Sequence, residues 1–203
     1  MAKVRLTKNE LKNQKEALKR YTRYLPTLEL KKIQLVNEIR TISQQIEIIH
    51  QEIEHFERKL FQWVDVFGED IDISTFFSIE KIVTASGNIA GIDIEIFEEV
   101  IFKDEEYDFF EIPLWVDKGI EACKEQISQK VKIETLKKQI KVLREELRIT
   151  IQRINLFEKV KIPESRENIR IIRIYLGDVQ TAEVVRGKIS KSKIQKKKEL
   201  AAA

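Results

Sequence analysis

Residues 39–56 read IRTISQQIEIIHQEIEHF, a stretch in which apolar side chains recur at alternating spacings of three and four residues. Ile39, Ile46 and Ile53 form one row, and Ile42 and Ile49 form a second row three residues ahead. A repeat of this kind predicts a helix that buries one apolar stripe against a partner helix in a left-handed coiled coil. The stretch therefore favours a long paired helix over a compact globule.

The rows extend in both directions from this stretch, over residues 11–67, with interruptions at Gln14 and Lys32. The second half of the chain repeats the pattern, so it predicts the partner helix. Together the two halves predict a coiled-coil seam that includes Ile39, Ile42, Ile46, Ile49, Ile53, Ile133, Leu136, Ile140, Leu143, Leu147 and Ile154. Pro26 and Pro163 lie inside these helices, where a missing backbone donor predicts local kinks.

Residues 68–113 interrupt the helical pattern. Apolar and polar residues alternate there, which predicts a β-hairpin with strands over 80–84 and 92–97, packed on the helix ends. Gly87, Asn88 and Gly91 mark its turn. The fold class is mainly α: a long antiparallel two-helix left-handed coiled coil with a small β-hairpin insert. We divide the chain into a first helix (1–67), an acidic hairpin insert (68–113), a second helix (114–200) and an uninformative tail (201–203).

Charge is distributed unevenly along the 203 residues, although the net charge is only +3. Residues 1–32 hold ten Lys or Arg against three acids, 184–200 hold seven against one, and 65–111 hold fourteen acids against two lysines. A helical hairpin would bring both basic segments to one end and the acidic insert to the other. We expect the two ends to meet different partners, although a solvated helical face explains the basic end equally well.

The sequence contains little that could support catalysis. Cys123 is the single cysteine, which excludes an intramolecular disulfide and favours a reducing compartment. His50 and His55 are five residues apart, so they do not share a helical face as a metal pair would. Gly187-Lys188 lacks the Ser or Thr and the upstream glycine of a phosphate-binding loop. We therefore expect no cofactor, no metal and no catalytic residue, and no signal peptide or membrane-spanning segment.

Three stretches resemble the D subunit of the V-type (vacuolar and archaeal-type) ATPases and ATP synthases. Leu6-Thr7-Lys8 is similar to the opening motif of that family, and 88–92 (NIAGI) is similar to its hairpin turn. The most specific match is 153–163, RINLFEKVKIP, which resembles the family pattern R-[VI]-N-x-[LF]-E-x-V-x-I-P. Beyond Gly177 the sequence departs from the family, with Val184, Val185 and Gly187 in place of its usual residues.

The resemblance implies a non-catalytic central rotor shaft that carries torque between a catalytic ring and a membrane ion-translocating rotor. Its implied partners are the catalytic and non-catalytic ring subunits (A and B type), the small F subunit of the stalk and a membrane-rotor adaptor (C/d type). It also implies a cytoplasmic location at the inner face of a membrane, held through those partners. The implied contacts with the catalytic ring are made by Arg5, Lys8, Lys12, Lys188, Lys191 and Lys193.

Two other classes of protein share some of these features. A prefoldin-like chaperone or scaffold also joins two coiled-coil helices through β-hairpins, but its client-binding ends would need exposed apolar residues. A nucleic-acid-binding coiled coil would need aromatic side chains among its basic residues, and 191–198 has none.

Overall fold

A computed structural model of the chain describes residues 4–60, 73–105, 113 and 115–202. At 74 and 198–202 it describes the backbone alone. Long helices account for most of these residues, as the sequence predicts. The elements in chain order are α1 (Lys8–Leu60), a short 3₁₀ turn (Ile73–Thr75), β1 (Phe77–Ile89), β2 (Ile92–Asp104), α2 (Val116–Asn155), a π-helical segment (Leu156–Lys161) and α3 (Ile162–Ala202). Helices joined through one antiparallel hairpin confirm the predicted fold class.

The chain separates into two compact units, which we number along the sequence. Unit 1 comprises Met1–Leu30 and Ile151–Ala203, and unit 2 comprises Lys31–Thr150. In unit 2 the rows of α1 and α2 meet in continuous apolar clusters. Their buried members are Leu35, Ile42, Ile49, Ile53, Ile133, Ile140 and Leu143, with Ile39, Ile46, Leu136 and Leu147 half-buried against them.

Unit 1 buries a separate stripe of α3. Ile162, Ile169 and Ile172 are buried on this stripe, and Ser165 is buried with them. In the same unit the ring centroids of Tyr21 and Phe157 lie 5.1 Å apart. This ring contact shows that the start of α1 runs beside the π-helical segment, as the antiparallel arrangement requires.

The hairpin is longer than the sequence predicts. Each strand has 13 residues, so the predicted bounds of 80–84 and 92–97 were wrong. The register shifts between Ile79 and Lys81 and again between Val83 and Thr84, and these bulges break the apolar alternation that marks a strand in sequence. The strands therefore continue where their sequence pattern does not.

The base of the hairpin packs at the beginning of α2, as expected, but the rest of the hairpin lies along α2. At the base, Phe77 is buried with Val116 and Ile120. At the turn, Ala90 packs against the cluster around Leu143, near the middle of the helix. The insert therefore packs on the beginning of α2, as the sequence predicts, and also along the helix, which the sequence did not predict.

The two internal prolines lie in different helical surroundings. Pro26 lies within α1, which is α-helical throughout its length. Pro163 is the second residue of α3, directly after the π-helical segment. A proline lacks the donor for the preceding turn, and a π-helical turn is one way to accommodate that loss. The kinks at both prolines stay predictions.

Candidate interaction surfaces

The first basic cluster lies at the start of α1. Thr7 caps this helix, because its side-chain oxygen accepts a hydrogen bond from the backbone N–H of Glu10 at 3.2 Å. Arg5 and Lys8 flank the cap and are exposed. Lys12, one turn later, is also exposed and lies 3.9 Å from the carboxylate of Glu16. The cap therefore fixes where these cations begin to project from the helix.

The second basic cluster lies on the last part of α3. Every residue from 180 to 197 in this helix is exposed. The segment carries one acid, Glu183, and six basic residues, namely Arg186, Lys188, Lys191, Lys193, Lys196 and Lys197. Val184, Val185, Ile189 and Ile194 are 49–58% exposed on the same helix. The segment thus presents cations and scattered apolar side chains to its surroundings without packing against another described element.

Both basic clusters belong to unit 1, and the acidic hairpin belongs to unit 2. Between Phe77 and Glu105 the hairpin region has seven acids, which are Glu80, Asp93, Glu95, Glu98, Glu99, Asp104 and Glu105, against Lys81 and Lys103. Four isoleucines of this region, Ile79, Ile82, Ile96 and Ile101, are 38–47% exposed. The hairpin therefore offers an acidic and partly apolar surface.

The hairpin turn is built by the residues that the sequence marks. The side chain of Asn88 donates a hydrogen bond to Asp93 at 2.8 Å and accepts one from the backbone N–H of Gly91 at 3.0 Å. Ala90 and Gly91 both have positive φ, 53° and 80°. Two central residues with positive φ define the turn type that matches the twist of a hairpin. Gly87 lies beneath Ile96, whose half-exposed side chain would have to turn aside for an added Cβ.

Two side chains of α2 that the sequence analysis did not single out hold the hairpin. The amide of Gln139 donates a hydrogen bond to the backbone carbonyl of Glu95. Lys124 forms an ion pair with Asp104 and lies 5.8 Å from the ring centroids of both Phe77 and Phe102. Neither role has a signal in the sequence, because each depends on the hairpin lying along α2.

Metal ligands, a groove and the cysteine thiol are the other candidate features of the described residues. Within residues 4–60, 73–105, 113 and 115–202, no group of three or more His, Cys, Asp or Glu is placed to hold a metal ion. A groove of about 300 Å³ separates β2 from α2, and its lining includes Ile94, Thr135 and Val142. Burial raises the pKa of the Cys123 thiol, which makes this thiol a poor nucleophile.

Two carboxylates with lowered pKa values lie on helix surfaces. A hydrogen bond from Arg148 lowers the pKa of the Glu145 carboxyl, and Arg170 lowers the pKa of Glu167 in the same way. Each pair lies three residues apart on an exposed helical face. Such pairs are surface ion pairs of helices, not candidate acid–base catalysts.

Comparison with known proteins identifies the family of this chain. A family model described as the ATP synthase D subunit matches residues 10–192, which include Lys12, the whole hairpin and the second basic cluster as far as Lys191. The chain belongs to the ATP synthase D-subunit family. The V-type ATP synthase D subunit of Borreliella burgdorferi is 48% identical over 197 residues, covering 97% of this chain and 98% of the relative. The V-type D subunits of Chlamydia pneumoniae and Chlamydia caviae are 34% and 33% identical, each over at least 95% of both chains.

Membership of the D-subunit family confirms the resemblance that the three motifs indicate. As a D subunit, the chain is one component of a multi-subunit rotary ATPase. None of its described helices is long and apolar enough to cross a membrane.

Proposed function

We propose that this D subunit is the non-catalytic central shaft of a V-type rotary ATPase and transmits torque between the catalytic ring and the membrane rotor. The observation that carries the proposal is the family match over residues 10–192, which spans the paired helices and the hairpin alike. The division into two helical arms (1–67 and 114–200) around an insert (68–113) belongs to the same proposal. Each arm would supply one side of the shaft.

The basic clusters of unit 1 are proposed to face the ring of A- and B-type subunits. The segment 180–197 is exposed on all sides, so a partner could surround it. Its cations would attract acidic loops, and its apolar side chains would be covered by that partner. Arg5, Lys8, Lys12, Lys188, Lys191 and Lys193 are the proposed contacts.

The hairpin of unit 2 is proposed to face the remaining partners, the small F subunit and the C/d-type adaptor. Its seven acids favour basic partner surfaces, and its exposed isoleucines provide area for burial. Lys124 and Gln139 hold the hairpin on α2, so load applied to the hairpin would pass into the paired helices. Through these partners the chain would be located at the cytoplasmic face of a membrane.

Torque transfer follows from the asymmetry of a helical pair. Each face of the pair presents different side chains, so a catalytic subunit would meet a different surface at each rotational position. A shaft can favour one conformation of a catalytic subunit only through such differential contacts. The chain itself would need no catalytic residue for this role.

Reconstitution with purified A-, B- and F-type subunits tests the proposal. We expect the complete complex to hydrolyse ATP faster than the ring alone and the chain to co-purify with the ring. Changing Lys188, Lys191 and Lys193 to Gln should weaken the assembly, most clearly at low salt, where charge contacts are least screened. The matched control changes three exposed lysines of unit 2, Lys132, Lys137 and Lys138, to Gln and should assemble normally. Equal effects of both triple variants would contradict the assignment of these contacts.

A further inference from the structure

The heptad seam of unit 2 does not by itself fix the register of its two helices. Its rows are built almost entirely from isoleucine and leucine, as described above for the clusters around Leu35 and Ile49. If one helix slid past the other by seven residues, most apolar positions would again face apolar positions, although one of the two slips would bring Leu35 opposite Thr150. Leu35 would then face Leu136 in place of Leu143, or Ile42 would face Leu143. Burial energy alone would distinguish these arrangements poorly.

The number of residues between the two helices does not exclude such a slip. A shift of seven residues moves one helix along the other by about 10 Å. The helices are joined through the long segment between Leu60 and Val116 rather than by a tight turn. The hairpin turn contacts the seam through apolar side chains, and the hydrogen bond of Gln139 ties the hairpin to α2 alone. The turn and the Tyr21–Phe157 ring contact favour the observed register through apolar contacts alone, so a direct polar interaction between α1 and α2 would define that register more sharply.

We propose that the ion pair between Lys31 and Glu146 determines the register of the helical pair. The ammonium of Lys31 lies 2.8 Å from the carboxylate of Glu146, across the two helices and 115 residues apart in the chain. Both side chains are largely shielded, with 31% and 25% of their surface exposed. Each lies immediately beside a seam position, where charges select pairing in coiled coils.

The charge pattern around this ion pair penalises both neighbouring registers. A slip of seven residues in one direction would place Glu38 opposite Glu146, so two carboxylates would repel each other. A slip in the other direction would place Lys31 opposite Gln139, whose amide is already bonded to Glu95. Only the observed register pairs opposite charges at this level.

The register matters because it decides which side chains of α1 and α2 share a level on the outer surface. A partner that contacts both helices would recognise one register and not the next. The Lys31–Glu146 pair is thus a positioning pair that contributes specificity. Shielded ion pairs often contribute little net stability. A variant that lacks this pair can therefore lose the unique register without a loss in the free energy of unfolding.

Distance measurement between two spin labels tests the proposal in the full chain. Labels at Gln51 and Lys141, both exposed, lie at different levels along the pair, so a slip changes their separation by up to about 10 Å. The native thiol is first removed by Cys123→Ala. We expect one distance for the wild type, and a second displaced population for the double variant Lys31→Leu/Glu146→Leu. Its melting temperature should equal or exceed that of the wild type.

Two further variants separate register from simple loss of charge. The charge exchange Lys31→Glu/Glu146→Lys, combined with Glu38→Lys so that like charges still oppose each other in the slipped register, should restore a single wild-type distance. The matched control Glu145→Leu/Arg148→Leu removes an exposed ion pair within one helix and should keep a single distance. If the apolar double variant aggregates, Lys31→Gln/Glu146→Gln tests the same point with polar side chains. A single wild-type distance in the variants lacking the Lys31–Glu146 pair would overturn the proposal.

Discussion

Replacing Leu143 with Ala should strongly destabilise unit 2. Leu143 has no exposed surface and lies in the cluster with Leu35, Ile42 and Ile140. The change removes three carbon atoms, which corresponds to about 2.4 kcal/mol of transfer free energy at about 0.8 kcal/mol for each. The cavity left between the two helices adds to this loss, so the expected total is about 3–4 kcal/mol.

Urea unfolding followed by helical circular dichroism measures this loss in the free energy of unfolding. The matched control is Leu30→Ala, the same chemical change at a side chain that is 62% exposed, and it should cost less than about 0.5 kcal/mol. The slope of the unfolding free energy against urea should remain constant for a two-state comparison. A loss below about 1 kcal/mol for Leu143→Ala would refute the account of the seam as the core of unit 2.

Three further predictions test a buried hydroxyl, two glycines and the cysteine thiol. Thr150 is fully buried and its hydroxyl has no hydrogen-bond partner in the described residues, so Thr150→Val should raise the unfolding free energy by about 1 kcal/mol. The control Thr41→Val alters an exposed hydroxyl that bonds its own helix and should change little in the same urea assay. Gly91→Ala should lower the melting temperature because a φ of 80° strains any L side chain, whereas Gly177→Ala, in open helical space, should raise it. Burial raises the pKa of Cys123, so alkylation at pH 8 should be slower in the native chain than in urea, and equal rates would contradict that burial.

The helices could be predicted because their core residues recur at regular spacings within each helix. A row such as Ile42 and Ile49 can be recognised without knowing its partner, since the helix itself places these side chains on one face. The hairpin turn could also be recognised, because Asn88 and Gly91 have residue types suited to positive φ and local hydrogen bonds. Both features depend on neighbours within a few residues.

Features that depend on distant parts of the chain could not be predicted. Gln139 is buried because β2 covers that face of α2, which no spacing in α2 indicates. The strand ends were missed because the bulges near Lys81 and Thr84 interrupt the alternation. A proline predicts disturbance in a helix, but it does not indicate that the disturbance takes the form of a π-helical segment before Pro163.

The candidate surfaces were partly visible in the sequence. The basic segments and the acidic insert follow from charge counts alone, and the structure adds that 180–197 is helical and exposed on every side. The anchoring of the hairpin by Lys124 was not visible, because its aromatic neighbours come from both strands. A charge pattern therefore located the surfaces, and tertiary packing determined how they are held.

Direct observation of rotation tests the central claim. The catalytic ring would be immobilised in the assembled complex, and a bead would be attached through Lys138→Cys on the exposed surface of α2, in the Cys123→Ala background. With ATP, the shaft account predicts stepwise rotation of the bead in one direction. An assembled complex that hydrolyses ATP while this chain stays fixed relative to the ring would contradict it.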